Sequence, residues 1–281
     1  MAPADRLARL VADAPPDLLE QGALDIARIG HPDLDPAPVL RELDALADGV
    51  RADVAALDDG AERVLRLARW LFAECGFHGN QDTYYDPRNS FLNDFLARRT
   101  GIPITLSVVM IAVARRLAVA VDGVGFPGHF LVRAAVPGGM LVLDPFFGGR
   151  PLDESELLGR LAALQGAPRP DQSTLTAVPR QLLAPLAPTA ILARMLRNLL
   201  QILTEQQAWP KALEAVERLL VVVPDGVDEL RTRGRLYEQL GCPAAAIADY
   251  RRFLALSPDD AAAATVRRRL TGLLQKAPTL H

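Results

Sequence analysis

The sequence predicts an α+β chain in two parts: a helical N-terminal region leading into a core with a small antiparallel sheet, then an all-α repeat domain. Three features predict it. Apolar residues recur at helical spacing, in separate pieces, through the first hundred positions. Three short β-like segments cluster between residues 119 and 144. A 34-residue period runs through the last hundred positions. With 281 residues, half of them hydrophobic and 23% charged, the chain suits one large domain or two ordinary ones and lacks the composition of a disordered segment.

In chain order, residues 17–29 place Leu18, Leu19, Ala23, Ile26 and Ala27 on one helical face and stop at Gly30-His31-Pro32. Val39 to Leu57 and Glu62 to Cys75 repeat that pattern. The polar loop FHGNQDTYYDP follows, then a helix from Arg88 to Arg99 with Phe91, Leu92, Phe95 and Leu96 on one face; Asp86, Asn89, Asn93 and Asp94 are suited to cap it. Pro103 stands where a helix favours its first residue, and the run ITLSVVMIAVARRL is apolar nearly all round, which marks a helix buried on most sides. The β-like segments are Val119–Gly125, His129–Val136 and Met140–Asp144, with Pro137-Gly138-Gly139 between the last two. Recurrent prolines at 168, 170, 179, 185 and 188 predict an irregular linker from Gln165 to Pro188.

In the last hundred residues Pro224 and Pro258, Ala212 and Ala246, and Leu213 and Ile247 are each 34 apart, the helix–turn–helix period of tetratricopeptide repeats. Gly234, Tyr237, Ala246, Tyr250 and Pro258 carry the second unit, while Leu199, Ala212 and Pro224 mark a weaker first one. The expected organisation is residues 1–180 for the helical segment plus core, with its motifs at about 84–150, and residues 181–281 for two repeats (193–226 and 227–260) closed by a capping helix at 261–275.

Composition excludes several functions. A net charge of −3 argues against a dedicated nucleic-acid binder, despite Arg251-Arg252 and the Arg267–Arg269 run. Two cysteines exclude a disulfide framework, and four scattered histidines do not make a metal cage, so neither metal nor cofactor is expected. The first sixteen residues interleave arginine and aspartate and do not read as a signal peptide, and no apolar run is long enough to span a membrane. A cytoplasmic location is expected. Cys75 and Cys242 are both expected to be buried and structural.

Candidate chemistry gathers around His129 and Asp144. If the hairpin turns through a four-residue loop from Val136 to Gly139, Leu131 lies opposite Asp144 and His129 lies diagonal to it on the same face. A loop of odd length would send Asp144 to the other face. The motifs YYDPRNSFLNDFLARRTGIPITLSVVM, GVGFPGHFLVR and LVLDPFFGG resemble the SirB-type transglutaminase-like family, whose bacterial members join a transglutaminase-like (papain-like) core to C-terminal tetratricopeptide repeats. The resemblance implies a Cys-His-Asp triad in catalytic relatives, with the Cys at the N-terminus of the central helix, where the helix dipole favours a thiolate. His129 and Asp144 match the His and Asp positions, but the helix start Pro103-Ile104-Thr105-Leu106-Ser107 has no Cys. Thr105 and Ser107 are the alternative nucleophiles, and hydroxyls are far weaker ones that need an oxyanion hole. Tyr84, Tyr85 and Asn89 are expected to line the cleft. Without a nucleophile, His129 and Asp144 become a polar pair that pins the hairpin to the helix.

Tetratricopeptide stacks use the first helix of each pair to bind peptides. The inward positions expected here are Arg194, Arg197, Asn198, Arg231 and Arg235. Residues 180–281 hold 14 Lys and Arg against 10 Asp and Glu, a net +4, while residues 1–179 sum to −7. The expected partner is therefore a protein or peptide, with an acidic segment favoured, neither nucleic acid nor membrane, and docking of the repeats on the chain's own acidic half is equally expected. The primary expectation is a non-catalytic adaptor. The second is an atypical amide-bond hydrolase or transferase using His129 and Asp144 with a Ser or Thr nucleophile.

Overall fold

A computed structural model describes residues 3–164 and 178–276. The chain divides into two compact units, Pro16–Ile191 and a discontinuous one made of Met1–Pro15 with Leu192–His281. The boundary expected at residue 180 therefore shifts to 191, and the N-terminal segment, expected with the core, belongs to the repeat unit. The reason is local. Helix α1 (Pro3–Asp13) turns Leu7, Leu10 and Val11 to one side, and it packs on helix α9 (Trp209–Val222) with Leu7 fully buried.

Within the core unit, α2 (Leu18–Ala27), α3 (Pro36–Ala55) and α4 (Gly60–Arg69) pack on α6 (Pro103–Arg116), and α5 (Leu92–Arg98) packs on α2 and α3. Asp35 and Asp59 begin α3 and α4 by accepting from backbone N–H groups at Ala37 (3.0 Å) and Ala61 (2.7 Å). α6 is buried continuously from Pro103 to Met110, as its all-round apolar pattern requires, and packs on α3, α4 and the sheet. The helix expected over 62–75 ends at Arg69 and continues as a π-turn, Trp70–Glu74. The one expected over 88–99 breaks into a 3-10 turn, Pro87–Asn89, capped by Asp86, and then α5. Asn89 causes that break: its side-chain amide donates to the Thr83 and Tyr84 carbonyls and draws the chain out of helical register.

Two short parallel strands, β1 (His78–Gly79) and β2 (Thr100–Gly101), form one small sheet. The other is a four-stranded antiparallel sheet of β3 (Asp122–Val124), β4 (Leu131–Val136), β5 (Gly139–Asp144) and β6 (Arg150–Pro151) in sequential order. His129 does not open a strand as expected. It lies in the turn before β4, where Gly128 takes a φ of 67° and the His129 N–H closes on the Phe126 carbonyl. Helix α7 (Glu154–Leu164) completes the described part of this region. Most of the predicted linker, residues 165–177, lies outside the described residues. Its remainder holds a 3-10 turn at Arg180–Leu183 and a bridge from Pro185 to Val124.

The repeat unit carries α8 (Pro188–Glu205, whose first residues belong to the core), α9, α10 (Val227–Gln239), α11 (Pro243–Leu256) and α12 (Ala263–Lys276). Ala212 and Ala246, one period apart, are both fully buried. Gly234 is required by close approach: a Cβ there would meet the buried Tyr250 ring at 2.6 Å. Tyr250 and Phe253 of α11 pack on Ala263 and Val266 of α12, so the last helix covers the apolar end of the pair. Cys242 departs from expectation. It sits exposed in the α10–α11 turn, where Pro243 already starts the next helix. No helix among the described residues is long and apolar enough to cross a membrane.

Candidate functional site

The hairpin fixes the core site. Its register runs from Val136↔Gly139 to Val132↔Leu143, and one step further places Leu131 opposite Asp144. This is the even-loop register that brings His129 and Asp144 to one face. Asp144 is fully buried and its oxygens accept three bonds. Oδ1 takes the His129 Nε2–H (2.9 Å) and the Phe146 backbone N–H (3.1 Å), while Oδ2 takes the Arg160 Nη2–H (2.6 Å). An ionised carboxylate only accepts, so its bond defines the His129 tautomer as Nε2–H. Burial pushes the Asp144 carboxyl upward, but the bonds from His129 and Arg160 outweigh it and hold the pKa below the ordinary carboxylate value.

The His129 ring meets Phe146 edge-on and lies nearly parallel to Phe147, with centroids 6.0 and 6.2 Å away. Arg160 covers the same Phe147 ring at 5.8 Å. Two donors are thus gripped by one carboxylate and one aromatic face.

The alternative nucleophiles point elsewhere. Thr105 and Ser107 are fully buried, and their hydroxyls donate to the carbonyls of Asn89 and Pro103, both at 2.8 Å. Each hydroxyl has one proton and gives it to the backbone, so neither presents an O–H to His129. Cys75 is buried at the end of the π-turn. Burial pushes its thiol pKa up, the opposite of what a thiolate nucleophile needs.

Of the expected cleft residues, Tyr84 lies edge-on to Phe146 (6.1 Å), and Tyr85, 61% exposed, packs on Tyr84. Asn89 is fully buried and its side-chain amide ties down the loop before it. Sequence reasoning missed Arg160, Phe146 and Phe147. The Phe-Phe pair directly after Asp144-Pro145 was a usable signal, since a turn there must aim aromatic rings back past the carboxylate. Arg160 offered none.

In the repeat unit, Arg197 and Arg235 line a groove of about 610 Å³ between α8 and α10. Arg231 and Arg235, with Arg269, line a second of about 360 Å³ between α10 and α12. The first groove also carries Glu205, Asp228 and Glu229, and Arg197 pairs with Glu229 at 2.7 Å. The second has three arginines and no carboxylate among the described residues of its lining. Arg231 pairs with Asp228 (2.6 Å), whereas Arg235 has no hydrogen-bonded or ion-paired partner among the described residues. Arg194 and Asn198 are half-buried on α8 and line neither groove.

A papain-like His–Asp pair on a small sheet behind a buried helix, followed by helix pairs of 34-residue period, defines a class of protein. The chain belongs to the transglutaminase-like superfamily, whose pattern matches residues 37–197, and a tetratricopeptide-repeat pattern matches residues 199–271. It is 41% identical over 259 residues to a UPF0162 protein of Xylella fastidiosa, covering 92% of this chain and 91% of that one. A UPF0162 protein of Pseudomonas aeruginosa is 38% identical over 252 residues, covering 89% and 88%. The human F-box only protein 21 is 30% identical over 187 residues, 61% of this chain and 27% of that protein.

Proposed function

We propose that this chain is a SirB-type, non-catalytic adaptor of the cytoplasm whose repeat grooves bind an acidic protein or peptide segment. The single observation that carries the reading is the start of α6. It offers no Cys, and its two buried hydroxyls spend their protons on the carbonyls of Asn89 and Pro103. Retention of His129 and Asp144 is then structural, a polar pair joining the turn before β4 to the end of β5 and, through Arg160, to α7. On the repeat side, three arginines converge on the α10–α12 groove, and Arg235 has donors to spare for a carboxylate.

The test uses the full chain and an array of acidic peptides. Binding is expected to weaken at least about tenfold, roughly 1.4 kcal/mol, in Arg235→Glu and to stay unchanged in His129→Ala. Peptide binding that ignores the arginine would sink the adaptor reading.

The 2.9 Å His129–Asp144 bond beside an open cleft favours one runner-up, an amide-bond enzyme with a Ser or Thr nucleophile. Hydroxyl- and thiol-directed covalent probes decide between the two. The adaptor leaves no His129-dependent adduct, while turnover of an amide that depends on Ser107 or Thr105 would establish the enzyme.

A further inference from the structure

The core unit has a second recognition feature that does not depend on the repeats. Beside His129 lies a cleft of about 390 Å³, within the range that encloses small ligands. Its walls are apolar: Pro127, Phe147, Ala163 and Leu164. Phe147 and Leu164 stay 48% and 57% exposed, an unusual share for large side chains facing each other across a hollow. Gly128 forms part of the lining and lies close to the Leu164 side chain, which a Cβ there would meet at 2.9 Å.

Among the described residues, the polar side chains of the lining are His129 and Arg160. Both are donors. Arg160 commits only Nη2 to Asp144, so Nε and Nη1 have no hydrogen-bond partner among the described residues. Among the described residues the lining contains no carboxylate, and Asp144 behind it has both oxygens engaged. Asp144 and the Phe147 face hold the guanidinium in place, so a ligand would meet a donor already ordered.

We propose that this cleft binds a carboxylate with an apolar body, its oxygens on the free guanidinium edge of Arg160 and its body between Phe147 and Leu164. A carboxylate accepts on both oxygens and suits a forked donor, whereas an amide would turn its own N–H groups toward Arg160. The carboxylate could be a free small acid or the end of a peptide chain, and both offer the same chemistry.

The full chain is titrated with 3-phenylpropanoate, with a tetrapeptide ending in a free phenylalanine acid, and with the amide of each, by calorimetry and by NMR of the His129 ring. At least one acid is expected to bind at least about tenfold tighter than its amide. Which acid binds identifies the source. Leu164→Asp puts a like charge on an exposed wall without touching the Asp144 bonds and should weaken binding at least about tenfold. Arg160→Met should do the same, but it also cuts a bond to Asp144, so the Leu164 variant decides. Equal binding of acid and amide, indifference to Leu164→Asp, or no response up to about 10 mM ligand overturns the proposal.

Discussion

Asp144 joins three parts of the core through one side chain: the turn that carries His129, the backbone after β5, and α7 through Arg160. Removing one member of a buried, hydrogen-bonded charge pair costs about 3–5 kcal/mol, because the partners keep their desolvation penalty and lose their compensation. Asp144→Asn should lower the unfolding free energy by that amount at pH 7, measured by urea denaturation. The pH dependence has a definite sign. The folded pKa lies below the ordinary carboxylate value, so the stabilisation is complete above about pH 4 and disappears as pH falls through the lowered value. Wild-type stability should decline on acidification below about pH 4, and Asp144→Asn should remove that part of the decline. A variant with an unchanged acid limb would show that the carboxylate is protonated in the native state.

At the scale of elements, the 34-residue period has a steric counterpart. Gly234 on α10 lets the buried Tyr250 ring of α11 approach its backbone. Gly234→Val should destabilise the helix pair by about 1–3 kcal/mol through overpacking. Helix propensity works the other way by only a few tenths of a kcal/mol, so the loss wins. A raised urea midpoint in this variant would mean that the helices part without strain.

These elements also show what was legible in the sequence. The α6 pattern, the repeat period and the hairpin register could all be read, because each follows from local spacing or from a turn of two residues, Pro137-Gly138. The break at Asn89 could not, since it depends on a side chain choosing the loop backbone over the helix. The fate of Thr105 was hidden because its acceptor, the Asn89 carbonyl, comes from a different turn. Arg160 reaches Asp144 across 16 residues from an ordinary amphipathic helix, with no spacing rule to announce it.

For the whole molecule, the repeat unit is built from both ends of the described chain. Leu7 anchors α1 on α9, and a large-to-small change at a fully buried leucine costs about 2–5 kcal/mol. Leu7→Ala should therefore raise hydrogen exchange in α9 while leaving the His129 ring resonances of the core unit where they are. Equal loss of protection in both units would mean that the chain unfolds as one.

The same arrangement sets an order of events during synthesis. α1 ends at Asp13 and its partner α9 starts at Trp209, so 195 residues must be added between the last residue of one and the first of the other. At about 5–20 residues per second, α1 waits roughly 10–40 seconds for its partner. The whole core unit, which ends at Ile191, is synthesised within that interval. α1 is therefore made long before the helix it packs on, and the apolar face around Leu7 stays open to chaperones throughout the delay.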